Sequence, residues 1–182
     1  YHDLNYSFAE ERAPLYKKYP ADGIHLFGNK NPRGKRINKY FIGTSILQAP
    51  FFLLAYGITM ATGTAPDGYS YIFQLFIALA GIFYLLAGLA CIRQLLRNMN
   101  FSETIIALVL LLLFAGTNLY YYALEEPSMS HVYSFFLVSF FLFCIQKLRI
   151  VFSENYFLLS CISLALVILI RPTNSIIVLA VP

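Results

Sequence analysis

The stretch YIFQLFIALAGIFYLLAGLACI, from Tyr71 to Ile92, contains no charged residue. At about 1.5 Å per residue it forms a helix of about 33 Å, enough to cross a hydrocarbon core of about 30 Å. Four further apolar runs flank it: Phe41–Gly63, Thr104–Leu119, Val132–Ile145 and Tyr156–Ile170. Another starts at Ile176 and meets the end of the chain at Pro182. Charge is almost absent inside these runs and gathers in the links between them. The expected fold is all-α: a polytopic transmembrane bundle of about five to six hydrophobic helices (residues 41–182), preceded by an N-terminal interfacial segment of loops and short helices (residues 1–40).

The bulk composition agrees. The chain is 59% hydrophobic and 12% charged, against about 25% charged in a water-soluble domain, which with this balance would expose large apolar patches and aggregate. Aromatic residues make up 17%, all Phe and Tyr; Tyr suits the membrane interface, ring in the apolar zone and hydroxyl in water. The chain begins at Tyr1 and ends inside an apolar run, so it reads as an internal part of a longer protein. Cys91, Cys144 and Cys161 lie in or beside the runs without CxxC spacing and read as small apolar residues. His2, His25 and His131 are scattered and form no HExxH pair, which disfavours a metal site built from this stretch alone.

Residues 1–40 carry eight of the thirteen Lys and Arg, interleaved with Tyr, Phe, Leu and Ile and broken by Pro14, Pro20 and Pro32. That mixture fits short helices and turns on a membrane surface. Among the links, TAPDGYS (64–70) carries turn residues Pro66, Asp67 and Gly68. The links at 93–103 and 147–155 are basic, EEPSMS (125–130) is acidic, and RPTN (171–174) closes the fifth run. Cytoplasmic loops carry the excess of Lys and Arg, so 93–103 and 147–155 are assigned inside and EEPSMS and RPTN outside. If Phe41–Gly63 spans fully, residues 1–40 are inside too. If Pro50 opens that run into a re-entrant or half-inserted helix, they are outside, beside EEPSMS and RPTN. Charge favours the first arrangement.

Three places carry residues suited to chemistry. The link NLYYYALEEPSMSH (118–131) holds Asn118, Tyr121, Glu125, Glu126 and His131. Carboxylates at a span end act as a base or bind a divalent cation; the plainer role is to cap a helix N-terminus within an interfacial tyrosine belt. Arg171 in RPTN is a lone guanidinium on the side poor in cations, where it either clamps an anion such as a phosphate or snorkels to the headgroups. The strip RGKRINKY (33–40) places four cations in seven residues, a phosphate-binding strip or a positive-inside anchor. Nucleic acid is disfavoured, because no recognition module surrounds the strip. No Ser-His-Asp set, dinucleotide fingerprint or redox motif is present.

Four segments, NKYFIGTSILQAPFF (38–52), GTNLYYY (116–122), EPSMSHVYSF (126–135) and IRPTN (170–174), resemble in order and spacing the bacterial polytopic glycosyltransferases of the GT-C superfamily, in the group related to protein mannosyltransferases. The resemblance covers about the whole chain. It implies a bacterial inner-membrane, multi-pass enzyme that moves a sugar from a polyprenyl-phosphate donor to an acceptor on the outer side of the membrane, often with a divalent metal cation. It implies that residues 1–40 are the later part of a long external loop, which favours the re-entrant arrangement against the charge count. The family's essential acid would lie upstream, with Asp3 the nearest carboxylate here, and Glu126 matches its acidic position in the second external loop. Arg171, Lys39 and Arg36 are then the candidates to meet the leaving phosphate. Tyr121, Asn118 and His131 would orient sugar or acceptor, with Tyr40 and Asn174 as further substrate contacts. Other classes remain open: a transporter or flippase of a lipid-linked or anionic solute, which calls for paired broken helices, or a structural subunit held by small-residue faces such as Gly81 and Gly88.

Overall fold

A computed structural model of the protein describes residues 41–180. Every regular element among them is helical. In chain order these are α1 (Ile42–Thr62), α2 (Tyr71–Asn98), α3 (Glu103–Ala115), α4 (Leu119–Leu124), α5 (Ser130–Ile150) and α6 (Glu154–Ile170), followed by a 3-10 helix over Pro172–Ala180. The all-α bundle expected from the apolar runs is the fold observed. Helices α1, α2 and α5 are long and apolar enough to cross a membrane, and α3 and α6 are shorter apolar helices. This is therefore a helical membrane protein. Basic residues 1–40, with Asp3, Arg36, Lys39 and Tyr40, lie outside the described residues.

Several boundaries depart from the sequence pattern, each for a local reason. Pro50 lies inside α1 yet leaves it one helix of 21 residues; proline removes a single rung of the ladder, and here the helix continues around it. The run from Thr104 breaks after Ala115 because the Thr117 hydroxyl donates to the Leu113 carbonyl at 2.6 Å and accepts from Leu119 N at 3.2 Å, diverting the backbone into a turn. The tyrosine-rich stretch beyond it is the short helix α4 rather than a loop. Most of the link at 93–103 is the last turns of α2, whose Arg93 and Arg97 pair with Glu103 at 3.4 and 3.2 Å. These exposed pairs stabilise the corner only weakly. In TAPDGYS, Asp67 accepts from the backbone N–H groups of Tyr69 and Ser70 at 2.9 and 2.8 Å, the turn its residues predict.

The order of contacts fixes the directions. Helices α2 and α5 run parallel: the Tyr84 ring meets Tyr133 at 5.3 Å, Gly88 meets Phe135, and Asn98 donates to Gln146 at 2.8 Å. Helix α6 returns antiparallel to α5, bringing Arg171 to Ser130. Helix α1 runs antiparallel to α2, from the Tyr84 hydroxyl on the Leu47 carbonyl (2.9 Å) to Phe52 against Phe73. The start of α1 lies against the end of α6 at Gly43, and the helix then follows the N-terminal half of α2. Gly81 lies against Pro127, just before α5, so at about 1.5 Å per residue the stretch from Tyr71 to Gly81 carries the start of α2 about 15 Å beyond the level where α5 begins.

The core sits where these helices meet, around Tyr84, Leu85, Val132, Tyr133, Leu137 and Val167. Lipid tails are as apolar as leucine, so close approach rather than water exclusion must hold such helices together. Gly43 supplies one approach: a β-carbon there would stand 2.5 Å from the backbone of Leu169 and Ile170. The Gly81–Gly88 face is used within the chain, against Pro127 and Phe135. Cys144 is buried in the bundle and Cys161 is exposed on α6; all three cysteines are free.

Candidate functional site

Polar side chains from separate elements converge at one end of the bundle. Ser130, His131 and Ser134 lie in the first turn or so of α5, with Ser130 and Ser134 four apart and so on one face. Arg171 follows the last turn of α6, where Pro172 ends the α-helix and starts the 3-10 helix that carries Asn174. Antiparallel packing of α5 and α6 makes these two sets meet.

Arg171 is the centre. Its Nε donates to Ser130 Oγ at 2.9 Å, and its Nη2 stands 3.2 Å from His131 Nε2. Neither partner is an acid, and among the described residues no carboxylate pairs with this guanidinium. The side chain is half-buried and held by α5 rather than extended freely toward headgroups. Asn174 Nδ2 donates to Ser134 Oγ at 3.1 Å, one helical turn further along α5. The imidazole of His131 stacks on Tyr122 with ring centroids 3.8 Å apart and 17° between planes.

The rim is formed by the link between α4 and α5. The Tyr121 hydroxyl donates to Glu126 Oε1 at 3.1 Å. That bond, with the nearby negative charge, raises the Tyr121 phenol above the usual tyrosine value of 10.0. Glu125 and Glu126 do not cap α5: no acid lies in its first turn, and Met129 occupies the cap. The same link is tied to α1, since Gln48 Nε2 donates to the Ser128 carbonyl at 3.2 Å and to the Tyr133 hydroxyl at 3.1 Å. Tyr133 in turn donates to the Pro127 carbonyl at 2.7 Å. Gln48 also lines an open cavity of about 330 Å³ with Ser45, Ala49, Phe52, Leu53 and Ile77.

Five of the residues singled out by sequence, Tyr121, Glu126, His131, Arg171 and Asn174, are thus brought to one end of the bundle. Asn118 precedes α4, exposed, and its side chain makes no hydrogen bond among the described residues. Asp3, Arg36, Lys39 and Tyr40 lie outside the described residues, but the start of α1 does not: Gly43 lies at this same end, against Leu169 and Ile170. Sequence reasoning missed Ser130, Ser134 and Tyr122 and did not assign Gln48 to the site. The spacing of Ser130 and Ser134, and a lone glutamine in an apolar run, were the available signals. Among the described residues no group of three His, Cys, Asp or Glu side chains is placed to hold a metal ion. Glu125, Glu126 and His131 do not close into such a set, so no step is routed through a metal here.

No family model, curated protein or solved structure matches the chain.

Proposed function

We propose that the protein is a membrane glycosyltransferase of the GT-C type, which moves a sugar from a polyprenyl-phosphate donor to an acceptor on the outer side of the membrane. The observation that carries this reading is the setting of Arg171: a fixed, half-buried guanidinium held by neutral Ser130 and His131, with its charge left for an anion. A lone cation at the end of an apolar span is costly unless it meets an anionic group. The apolar length of α1 and α2 beyond the cluster supports a substrate that carries a long hydrocarbon chain on a phosphate.

In this mechanism an acceptor hydroxyl or amide attacks the anomeric carbon. The bond from that carbon to the phosphate oxygen breaks, and polyprenyl phosphate leaves with the electron pair. Negative charge grows on the phosphate as the bond breaks, so a cation aimed there stabilises the transition state more than the ground state. Arg171 takes that part, joined by Arg36 and Lys39 if the basic strip lies beside it. Glu126 stands on the rim with Oε1 engaged by Tyr121 and Oε2 without a hydrogen bond among the described residues, suited to take the acceptor's proton. Asn174 and Ser134 offer hydrogen bonds to sugar hydroxyls.

The test is turnover. The whole protein in proteoliposomes, given a labelled polyprenyl-phosphate sugar and acceptor extract, should release polyprenyl phosphate and label the acceptor. Movement of the intact lipid-linked sugar between leaflets without release would instead favour the flippase reading, which draws on the interruption between α3 and α4 at Gly116–Asn118.

A further inference from the structure

The contact between Arg171 and His131 has a chemical consequence. A guanidinium has donors only, so in the 3.2 Å contact between Nη2 and Nε2 the imidazole must accept. Nε2 therefore carries its lone pair, and the neutral ring keeps its proton on Nδ1. The ring is not free to turn, because it lies flat on Tyr122. With Nε bound to Ser130 Oγ and Nη2 to His131, the guanidinium is tied to two successive residues of α5. Its remaining N–H groups have no hydrogen bond among the described residues.

We propose that His131 is a positioning residue: a neutral acceptor, protonated on Nδ1 alone, that fixes the Arg171 guanidinium for contact with a lipid phosphate. The proposal rests on the reading of Arg171 as the phosphate contact. A preoriented guanidinium meets the phosphate without first losing side-chain freedom. The arrangement holds only while the ring is neutral. A second proton on the imidazole removes the acceptor and sets a cation 3.2 Å from Arg171. Around the ring, Arg171 comes from the end of α6, Glu126 from the link and Tyr122 from α4. Helices α1 and α2 bring the uncharged Gln48 and the Tyr84 phenol to neighbouring Tyr133. The charges of α2 and α5, Arg93, Arg97, Lys147 and Arg149, lie toward their other ends. Acid thus frees Nη2 from His131 and leaves the guanidinium held by Ser130 alone.

Two measurements on the whole protein in nanodiscs test this. The first is the nitrogen spectrum of ¹⁵N-histidine-labelled protein at a pH above the ring's titration, with the His131 signals identified by their loss in His131→Gln. An unprotonated Nε2 and a protonated Nδ1 are expected; a protonated Nε2 overturns the proposal. The second is binding of polyprenyl phosphate across pH. His131→Ala should weaken binding about tenfold, the scale of a lost hydrogen bond to a charged group. His131→Gln, whose Oε1 accepts from Nη2 but takes no proton, should stay within about threefold of wild type, since it keeps that bond. It should also lose the acid-side fall that wild type shows. The phosphate's own titration is common to both proteins, so the difference between their profiles is what counts. Equal binding by wild type and His131→Ala, or identical pH profiles for wild type and His131→Gln, overturns the proposal. If wild type binds no polyprenyl phosphate, the functional reading fails, and the nitrogen spectrum alone decides how His131 holds Arg171.

Discussion

Arg171 Nη2 stands 3.2 Å from His131 Nε2, although 40 residues of chain separate them. The contact exists because α5 begins and α6 ends at the same end of the bundle. Among the described residues the partners on Arg171 are neutral, and that is why the cluster reads as a place for an anion rather than as an internal ion pair. If the guanidinium were neutralised within the protein, little would be left to attract a phosphate.

The contact of α1 with α6 depends on the missing side chain at Gly43. Gly43→Ala drives a β-carbon to within 2.5 Å of the Leu169 and Ile170 backbone, which cannot swing away as a side chain would. Overpacking of this kind destabilises by about 1–3 kcal/mol. Gly57→Ala is the control, with nothing within 4 Å of the added carbon. Thermal unfolding in detergent should show a lower midpoint for Gly43→Ala and no fall for Gly57→Ala. Equal midpoints would remove the close approach from the account.

Cysteine reactivity reports the lipid-facing surface. Cys161 is exposed on α6 beside Leu158 and Ile162, which are also exposed, while Cys144 is fully buried. In membranes, a charged, impermeant maleimide should modify Cys161 poorly, because the thiolate is the nucleophile and hydrocarbon keeps the thiol protonated, and Cys161 should react readily once detergent and denaturant admit water. Cys144 should not react until the protein is denatured. Rapid labelling of Cys161 by the charged reagent would place that face of α6 in water.

Where α1 enters bears on the side occupied by residues 1–40. Phe41 lies two residues before Gly43, which packs beside Arg171, whereas Asn100, in the turn after α2, and Asn155, in the first turn of α6, lie at the opposite end. Single cysteines at Phe41, Ser128 and Thr173, with the native cysteines replaced by alanine, should label together from outside intact cells. Those at Asn100 and Asn155 should label only after permeabilisation. Labelling of Phe41 together with Asn155 would contradict this arrangement and return the basic strip to the cytoplasm.

Helices α2, α5 and α6 were legible because uninterrupted apolar length is a strong signal and little else produces it. Helix α4 was not, since Leu119–Leu124 is short and its three tyrosines read as an interfacial loop; a hydroxyl of Thr117 sets its boundary. Pro50 left a full span and a re-entrant helix both open; the helix continues through it for 21 residues, because one lost rung does not break a helix whose other rungs persist. The site was legible as a set of residues but not as an arrangement. Arg171, His131, Asn174 and Glu126 stand out by charge and chemistry, yet their meeting depends on the antiparallel return of α6, and the roles of Ser130, Ser134 and Tyr122 exist only through it. Charge counting weighs the links alone and says nothing of packing, whereas Gly43 shows that α1 begins at the end that carries EEPSMS and RPTN.

The most direct test of the central claim is sugar transfer by Arg171 variants in proteoliposomes, read as release of polyprenyl phosphate. Loss of one preorganised charge contact to the leaving group costs about 3 kcal/mol, so Arg171→Ala should slow release about a hundredfold. Arg171→Lys should recover only part of this, because an ammonium lacks the fork of donors that reaches both Ser130 and His131. Release by Arg171→Ala within threefold of wild type, set against the loss expected for a leaving-group contact, would remove Arg171 from the mechanism and contradict the account.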